Sequence, residues 1–165
     1  MALDFNTNTK NYPEYLTPRY IVEALGYFDL DPCASIERPW PTATNHFTVV
    51  DDGFNRYWEG RVWLNPPYGK ETFKWIERLA KHQSGLGLIF ARTETKGFHR
   101  LIWEKAHSVF FFEGRLSFCD TKGKPYGTCN APSCLVSYSR FDSWKIETSK
   151  LKGKQIYLGD YGKET

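Results

Sequence analysis

Short apolar runs alternate with an amphipathic segment along the middle of the chain. Four runs are apolar nearly throughout, as expected for strands of a buried sheet, and they lie at 61–64, 86–91, 108–112 and 133–138. Between the first two runs, residues 70–83 repeat apolar positions at helical spacing, with one face formed by Phe73, Ile76, Leu79 and Ala80. We also expect a short strand at 27–31 and a helix capped by Thr95. This alternation predicts an α/β fold with a mostly parallel sheet.

The two ends of the chain lack this pattern. Residues 1–15 are polar and aromatic and are expected to form an irregular arm. Residues 32–57 are expected to form a long loop, with a short strand at 46–50 as the alternative. Residues 140–165 are polar and are expected to form a tail that ends in a weak strand at 155–158. Because the whole chain has 165 residues and shows no linker or repeat, we expect a single domain over 1–165.

Composition and charge indicate the cellular environment of the protein but do not define its function. The net charge of +3 is too small to indicate nucleic-acid binding by itself, although it permits a local basic face. The four cysteines show no C-x-x-C spacing, so we expect reduced thiols, no metal site and a cytoplasmic location. Neither a signal peptide nor an apolar run of about 18 residues is present, so no membrane partner is expected. The aromatic content of 17% fits either core packing or stacking on a ligand.

The most informative motif is Asn65-Pro66-Pro67-Tyr68, which directly follows the strand at 61–64. Each proline fixes φ near −65° and extends the residue before it, so the turn is stiff. In α/β sheets, ligands bind beyond the carboxyl ends of the strands, where this turn falls. An amide and a carbonyl there can hold a planar amine while Tyr68 covers the attached ring. The motif indicates methylation of an exocyclic amine; the alternative is a rigid loop without chemistry.

Several further segments accompany this turn. They are Leu16–Arg19, Phe28–Ser35, Asp51–Phe54, Trp58–Gly69, Ala91–Thr95, Gly114–Phe118 and Ala131–Ser133. Together they resemble the class I S-adenosylmethionine-dependent amino-methyltransferases, and most closely the small phage-type DNA N6-adenine methyltransferases (Dam-like). The resemblance implies a three-layer Rossmann-like methyltransferase fold whose mostly parallel sheet has a C-terminal antiparallel strand. It also implies S-adenosylmethionine as cofactor and adenine in DNA as substrate.

Within this resemblance, the turn is the expected catalytic segment. The Asn65 side-chain oxygen and the Pro66 carbonyl can each accept one hydrogen of adenine N6, which turns the nitrogen lone pair out of the ring. Pro67 stiffens the turn, and Tyr68 would stack on the base. Since a paired base cannot enter such a pocket, the target adenine is expected to be flipped out of the duplex.

The expected cofactor site draws on three segments. The loop after the first strand takes the place of the family's small-residue loop, although it has no G-x-G, and Cys33 there is interpreted as a small filler. Asp52, preferred over Asp51, is expected to accept the ribose hydroxyls. The expected residues are Thr17, Pro18, Asp29, Asp31, Pro32, Cys33, Ala34 and Asp52. Alternatives are a helix cap for Thr17 and Pro18, and plain turns at Asp31-Pro32 and Asp52-Gly53.

DNA contacts are expected from polar residues near the same edge of the sheet. The candidates are Arg92, Thr93, Thr95, Arg115, Lys122 and Lys124. The alternatives are a capped helix after residue 95 and a solvated hairpin at 119–130. Substrates left open by the motif are RNA adenine, cytosine N4 and protein glutamine, as is a non-catalytic nucleic-acid-binding relic of the fold. The recognition sequence and the choice between monomer and homodimer stay open.

Overall fold

The computed structural model describes residues 14–158, which form a mixture of helices and strands. The elements are α1 (Arg19–Ala24), β1 (Leu30–Asp31), β2 (Asn45–His46), β3 (Val62–Leu64), α2 (Thr72–His82), β4 (Gly85–Phe90), α3 (Lys96–Phe98), β5 (Ser108–Phe112), β6 (Ser133–Ser137), α4 (Arg140–Glu147) and β7 (Gly153–Tyr157). A π-helical segment, His99–Trp103, continues α3. No helix in this part of the chain is long and apolar enough to cross a membrane.

One seven-stranded mixed sheet has the order β2-β1-β3-β4-β6-β5-β7. The pairs among β2, β1, β3 and β4 are parallel, whereas β6 runs antiparallel to both β4 and β5, and β7 runs antiparallel to β5. The α/β class is therefore confirmed. The expected single antiparallel strand at the C-terminal end is in fact two strands, β6 and β7, because β6 inserts between β4 and β5.

Helices cover both faces of the sheet. Alternate strand residues divide the core into two clusters, with Trp63 and Leu88 on one face and Val62 and Ile89 on the other. α1 and α4 pack on the Trp63 face, while α2 and the α3 region pack on the Val62 face. This arrangement gives three layers and buries every residue of β3 and β4.

The register between β3 and β4 is fixed by a close backbone contact. Gly85 begins β4 with φ +125°, and a side chain there would collide with the backbone of Val62 on β3. The preceding helix α2 ends at His82, and its C-cap residue Gln83 adopts the left-handed conformation with φ 63°. The apolar face predicted over 70–83 is buried, with Ile76 and Leu79 fully covered. The Gly85 contact fixes the amino end of β3 against β4 and thereby sets the register in which β3 runs to its carboxyl end.

The segment after residue 140 departs from the expected polar tail, since it contains α4 as well as β7. Ser139 caps α4 by accepting a hydrogen bond from the Asp142 N–H at 3.0 Å. The buried carboxylate of Asp142 lies 2.6 Å from Arg61 Nε at the start of β3. This helix is polar in sequence because an ion pair, rather than an apolar stripe, attaches it to the sheet. The expected arm at 1–15 lies outside the described residues, except for Glu14 and Tyr15.

Candidate active site

The Asn65–Tyr68 turn lies at the carboxyl end of β3 and is tied to the first turn of α2. The Thr72 hydroxyl donates to the Pro67 carbonyl at 2.7 Å and accepts from the Gly69 N–H at 3.0 Å. Pro66 is buried and Pro67 is exposed. The turn is therefore held from both sides, by β3 before it and by α2 after it.

The side-chain amide of Asn65 has a defined orientation. Its Nδ2 donates to the backbone carbonyl of Tyr15 at 2.9 Å, so the nitrogen faces the N-terminal segment. Its Oδ1 consequently faces the opposite way and accepts from the Tyr68 hydroxyl at 3.1 Å. Sequence reasoning did not find Tyr15, because a backbone carbonyl leaves no signal in side-chain patterns. The result is a hydrogen-bond acceptor presented beside an aromatic ring.

The ring of Tyr68 belongs to an aromatic cluster at this edge of the sheet. It stacks on Phe90 of β4 with ring centroids 4.1 Å apart and an interplanar angle of 21°. It also meets Phe118 edge-on at 6.0 Å. Burial raises the pKa of the Tyr68 phenol well above its ordinary value, so the group is a neutral donor. Electrostatic interaction with Cys129, Cys134 and Cys33 raises the pKa of the phenol further.

Asp31 ends β1 as a buried carboxyl group, 4% exposed. Its Oδ1 accepts from the Cys33 N–H at 3.0 Å, and its Oδ2 accepts from the Thr42 hydroxyl. Burial raises the pKa of Asp31 to about 6, against the lowering effect of these two hydrogen bonds and of the Arg38 charge. The two hydrogen bonds and the Arg38 charge therefore do not fully offset the cost of burying the negative charge of Asp31.

A small cavity opens beside Asp31. Its lining comes from two stretches of loop and from the N-terminal segment, namely Leu16, Asp31, Ala34, Ser35, Arg38, Pro39, Trp40 and Thr42. Asp31 and Ala34 were predicted to share a site, and the structure brings them together. Arg38, Trp40 and Thr42 were missed, because they fall in a stretch without periodicity. An arginine and a tryptophan within a loop were the available signal.

Thr17 follows Leu16, which lines this cavity, and its buried hydroxyl lacks a hydrogen-bond partner among the described residues. The residue is 2% exposed, and its Oγ1 has no hydrogen-bond partner in the described part of the chain. The alternative role of Thr17 as a helix cap is wrong, because Pro18 is the residue at the N-cap of α1 and no side chain caps this helix. An unsatisfied buried hydroxyl costs about 1–3 kcal/mol. A ligand with a polar group at this point would remove that cost.

The Asp51-Asp52-Gly53 turn packs against the loop that follows β1. A side chain at Gly53 would collide with the Pro32 carbonyl, so the two segments are in direct contact. The Asp51 carboxylate already accepts from the N–H and the hydroxyl of Thr48, at 2.8 and 3.0 Å. Asp52 is exposed, with φ 54°, and its Oδ2 accepts from Asn55 Nδ2 at 2.8 Å. The preference for Asp52 over Asp51 stays a prediction.

Two other predicted cofactor residues have different surroundings. Asp29 lies at the amino end of β1, where its Oδ2 accepts from the Arg61 N–H at 2.7 Å, so it is not brought together with Asp31. Cys33 follows Asp31 closely, and burial together with the negative charges of Asp31 and Glu14 raises the pKa of its thiol to about 12. A protonated thiol of this kind suits the expected role of a filler.

The predicted DNA contacts divide into two groups. Arg92 and Arg115 are both exposed, and the positive charge of each lowers the pKa of the Cys129 thiol against the effect of burial. Thr95 is occupied by capping: it accepts from the Phe98 N–H at 3.3 Å and donates to the Arg92 carbonyl at 2.8 Å. Thr93 contributes its carbonyl to Trp103 Nε1 at 3.1 Å. The capped-helix alternative therefore accounts for Thr95.

The loop at 119–127 is attached to the N-terminal segment. Leu16 and Cys119 exchange two backbone hydrogen bonds of 2.9 Å. Asp120 Oδ1 accepts from the N–H groups of Lys122 and Lys124, both at 2.9 Å, and the two lysines are exposed. Gly123 packs against Trp40. The loop is therefore connected to Tyr15, which orients Asn65, and to the wall of the Asp31 cavity.

No group of three or more histidine, cysteine, aspartate or glutamate side chains among residues 14–158 could hold a metal ion. All four cysteines are free thiols.

Comparison with known proteins identifies the family. A family model described as DNA N-6-adenine-methyltransferase (Dam) matches residues 6–156, which is nearly the whole chain. No curated protein and no solved structure gives a significant match. The matched range includes the Asn65–Tyr68 turn, the Asp31 cavity and the loop with Lys122 and Lys124. The chain therefore belongs to the DNA N-6-adenine-methyltransferase (Dam) family.

Proposed function

We propose that this protein transfers a methyl group from S-adenosylmethionine to N6 of an adenine that is flipped out of DNA. The observation that carries the proposal is the Asn65 amide, whose oxygen is turned by the Tyr15 carbonyl toward the aromatic cluster at the carboxyl end of β3. The family supplies the reaction class, and the described residues supply the groups it needs.

The groups near the Asp31 cavity fit the methionine end of S-adenosylmethionine. The Asp31 carboxylate suits an ammonium group, the Arg38 guanidinium suits a carboxylate, and the buried Thr17 hydroxyl can donate or accept. Asp52, on the adjoining turn, would accept the ribose hydroxyls. When bound, this cofactor supplies a methyl group already activated on a sulfonium centre. The protein then has to position the acceptor rather than supply a strong acid or base.

Asn65 and Pro66 would do this positioning. Adenine N6 is a poor nucleophile because its lone pair is delocalised into the ring. The Asn65 Oδ1 and the Pro66 carbonyl would each accept one N6 hydrogen, which favours a pyramidal nitrogen with its lone pair free. Since the Tyr15 carbonyl fixes the amide, Asn65 offers an oxygen and not an NH₂ group to the base.

Tyr68 has to move when the base enters. Its hydroxyl now occupies the Asn65 oxygen, and its ring now covers Phe90. An adenine offers the same two features, a hydrogen-bond donor and a flat ring, so it can take the place of the Tyr68 hydroxyl on Asn65 and of the Tyr68 ring on Phe90. Tyr68 would then stack on the base, which is worth about 1–3 kcal/mol.

The parallel part of the sheet supports the proposal of a Rossmann-like methyltransferase fold with a site beyond the carboxyl ends of its strands. β1, β3 and β4 are parallel, so their carboxyl ends and the loops that follow them meet at one edge. Arg92, Arg115, Lys122 and Lys124 are exposed near the ends and loops of this edge and would contact DNA phosphates. The favoured substrate is DNA rather than RNA or protein, because the family model is that of DNA methyltransferases.

The test compares wild type with Asn65→Ala and with Asn45→Ala, an exposed asparagine on β2. We expect Asn65→Ala to abolish incorporation of labelled methyl groups into DNA while its affinity for S-adenosylmethionine in calorimetry stays within about twofold. Asn45→Ala should behave as wild type. Transfer by Asn65→Ala near the wild-type rate would overturn the role of Asn65.

Product analysis tests the substrate. Digestion of the methylated DNA to nucleosides should give N6-methyladenosine in its deoxy form. RNA and protein fractions in parallel reactions should stay unlabelled. N4-methylcytosine, or label in RNA or in protein glutamine, would contradict the proposed substrate, and absence of any cofactor binding would favour a non-catalytic relic.

A further inference from the structure

Ser133, the first residue of β6, has a buried hydroxyl that the described part of the fold does not use. The side chain is 1% exposed, and its Oγ has no hydrogen-bond partner among residues 14–158. Other serines in the same sheet are satisfied: Ser137 Oγ donates to the Ser139 carbonyl at 2.9 Å and pairs with Ser143 Oγ at 3.0 Å. A buried donor without a partner weakens the fold unless a ligand completes it.

The strand register places Ser133 beside the expected base pocket. Ser133 lies directly opposite Phe90 in the antiparallel pair of β4 and β6. Side chains alternate along each strand, so Ser133 shares a face with Leu135, as Phe90 does with Leu88. Residues opposite each other on one face have Cβ atoms about 4.5–5.5 Å apart. The Ser133 hydroxyl is therefore a neighbour of Phe90, the residue whose ring is covered by Tyr68.

The surroundings of this hydroxyl are largely apolar. Phe90, Phe118, Ala131 and Leu135 belong to the same buried cluster, and Tyr68 packs against it. A planar heterocycle that replaced Tyr68 on Phe90 would lie beside the Ser133 hydroxyl. This hydroxyl is a hydrogen-bond donor in otherwise apolar surroundings. The N6 hydrogens of adenine are donors and are directed to Asn65 and the Pro66 carbonyl. The remaining polar atoms of the base are ring nitrogens, which accept hydrogen bonds.

We propose that Ser133 is a base-binding residue whose hydroxyl donates to a ring nitrogen of the flipped adenine. This inference rests on the proposed function, since it concerns the substrate of the same site. Asn65 and Pro66 recognise the amino group, and Ser133 recognises the ring that carries it. Both parts of the base are then read, and the buried hydroxyl gains the partner that residues 14–158 do not provide.

Two serine variants on one strand separate binding from stability. Ser133→Ala should raise KM for adenine-containing DNA about tenfold, and its denaturation midpoint should equal or exceed that of wild type because an unsatisfied donor is gone. Ser137→Ala removes a hydroxyl on the same face, but one that is hydrogen-bonded. It should lower the denaturation midpoint and leave KM unchanged. An unchanged KM in Ser133→Ala, or an equal rise in both variants, would overturn the proposal.

Altered bases supply a test that leaves the wild-type fold untouched. Oligonucleotides carry 1-deaza-, 3-deaza- or 7-deazaadenine at the target, each replacing one ring nitrogen by C–H. For wild type, one of the three should raise KM about tenfold. Ser133→Ala should not distinguish that oligonucleotide from the adenine-containing one. Equal penalties in both proteins for every analogue would show that Ser133 does not touch a ring nitrogen.

These results also separate this inference from the proposed function. Absence of adenine methylation by wild type would contradict the proposed function itself. Normal methylation by wild type together with wild-type behaviour of Ser133→Ala would leave the proposed function intact and remove only the role of Ser133.

Discussion

Asp31 is a buried carboxyl group at the end of β1, and its ionisation links the stability of the fold to pH. Its pKa is about 6 in the folded protein, raised mainly by burial, and about 4 in an unfolded chain. Between these values the folded state holds a proton that the unfolded state has released. The free energy of unfolding therefore falls as pH rises from about 4 to about 6 and is level above that, with a total change of roughly 3 kcal/mol.

Asp31→Asn should remove this dependence. We expect the variant to unfold at a higher urea concentration than wild type at pH 8, and at a similar concentration at pH 4.5. The same variant should lose affinity for S-adenosylmethionine in calorimetry at pH 8, and wild type should lose affinity as pH falls below about 6. Parallel urea profiles of the two proteins at both pH values would contradict the assigned ionisation.

Residues of the site differ in how visible they are in the sequence. Asn65 to Tyr68 stand together in one rare segment, so a hypothesis about their chemistry could be formed from the sequence alone. Tyr15 acts through a backbone carbonyl, and Ser133 is distinguished by the lack of a partner among the described residues. Both properties arise from contacts between segments far apart in the chain. No local pattern encodes them.

At the scale of elements, α4 is attached to the sheet by a buried ion pair. Arg61 Nε lies 2.6 Å from Asp142 Oδ1, and the other oxygen of Asp142 accepts from the Gly85 N–H at 2.8 Å. Arg61 also donates to the carbonyls of Leu25 and Tyr27. One pair thus connects β3, β4, α4 and the end of α1, all at the amino ends of the strands and away from the active-site edge.

Arg61→Met should lower the free energy of unfolding by about 3–5 kcal/mol, because it leaves the Asp142 charge buried without its partner. The exposed pair Arg19–Glu23 supplies the control, and Glu23→Ala should cost at most about 1 kcal/mol. Denaturant titration measures both changes. Folded Arg61→Met should keep a KM near that of wild type, since the pair is remote from Asn65. A loss of stability no larger than that of Glu23→Ala would contradict this account.

Prediction of elements from the sequence succeeded where burial follows apolar runs. β4 and β5 were located from such runs, and α2 from its apolar face. α4 was missed because its buried residues are Asp142, Ser143 and Ile146, which form no apolar stripe. The available signal was Ser139 followed three residues later by Asp142, a pattern typical of a capped helix start. Polar burial by ion pairing depends on the partner strand, so periodicity does not reveal it.

For the whole molecule, the position of the positive charges matters more than their sum. The net charge is only +3, yet Lys122 and Lys124 project from a loop that contacts the Asp31 cavity and the N-terminal segment. Lys81, at the end of α2, and Lys105, just before β5, are equally exposed at the opposite edge of the sheet. Two double variants can therefore remove the same charge from opposite ends of the molecule.

Lys122→Ala with Lys124→Ala should weaken binding to an adenine-containing duplex by about tenfold at moderate salt. Each lost phosphate contact also lowers the slope of log affinity against log salt by about 0.9, so the slope should fall by nearly 2. Lys81→Ala with Lys105→Ala should leave the slope within about 0.3 of wild type, because those lysines face away from the site. Fluorescence anisotropy over a range of salt concentrations measures both quantities. An equal loss of DNA affinity and of salt-dependence slope in the two double variants would contradict this prediction. Binding would then depend on the overall charge of the protein, and the loop at 119–127 would not be the DNA-binding surface.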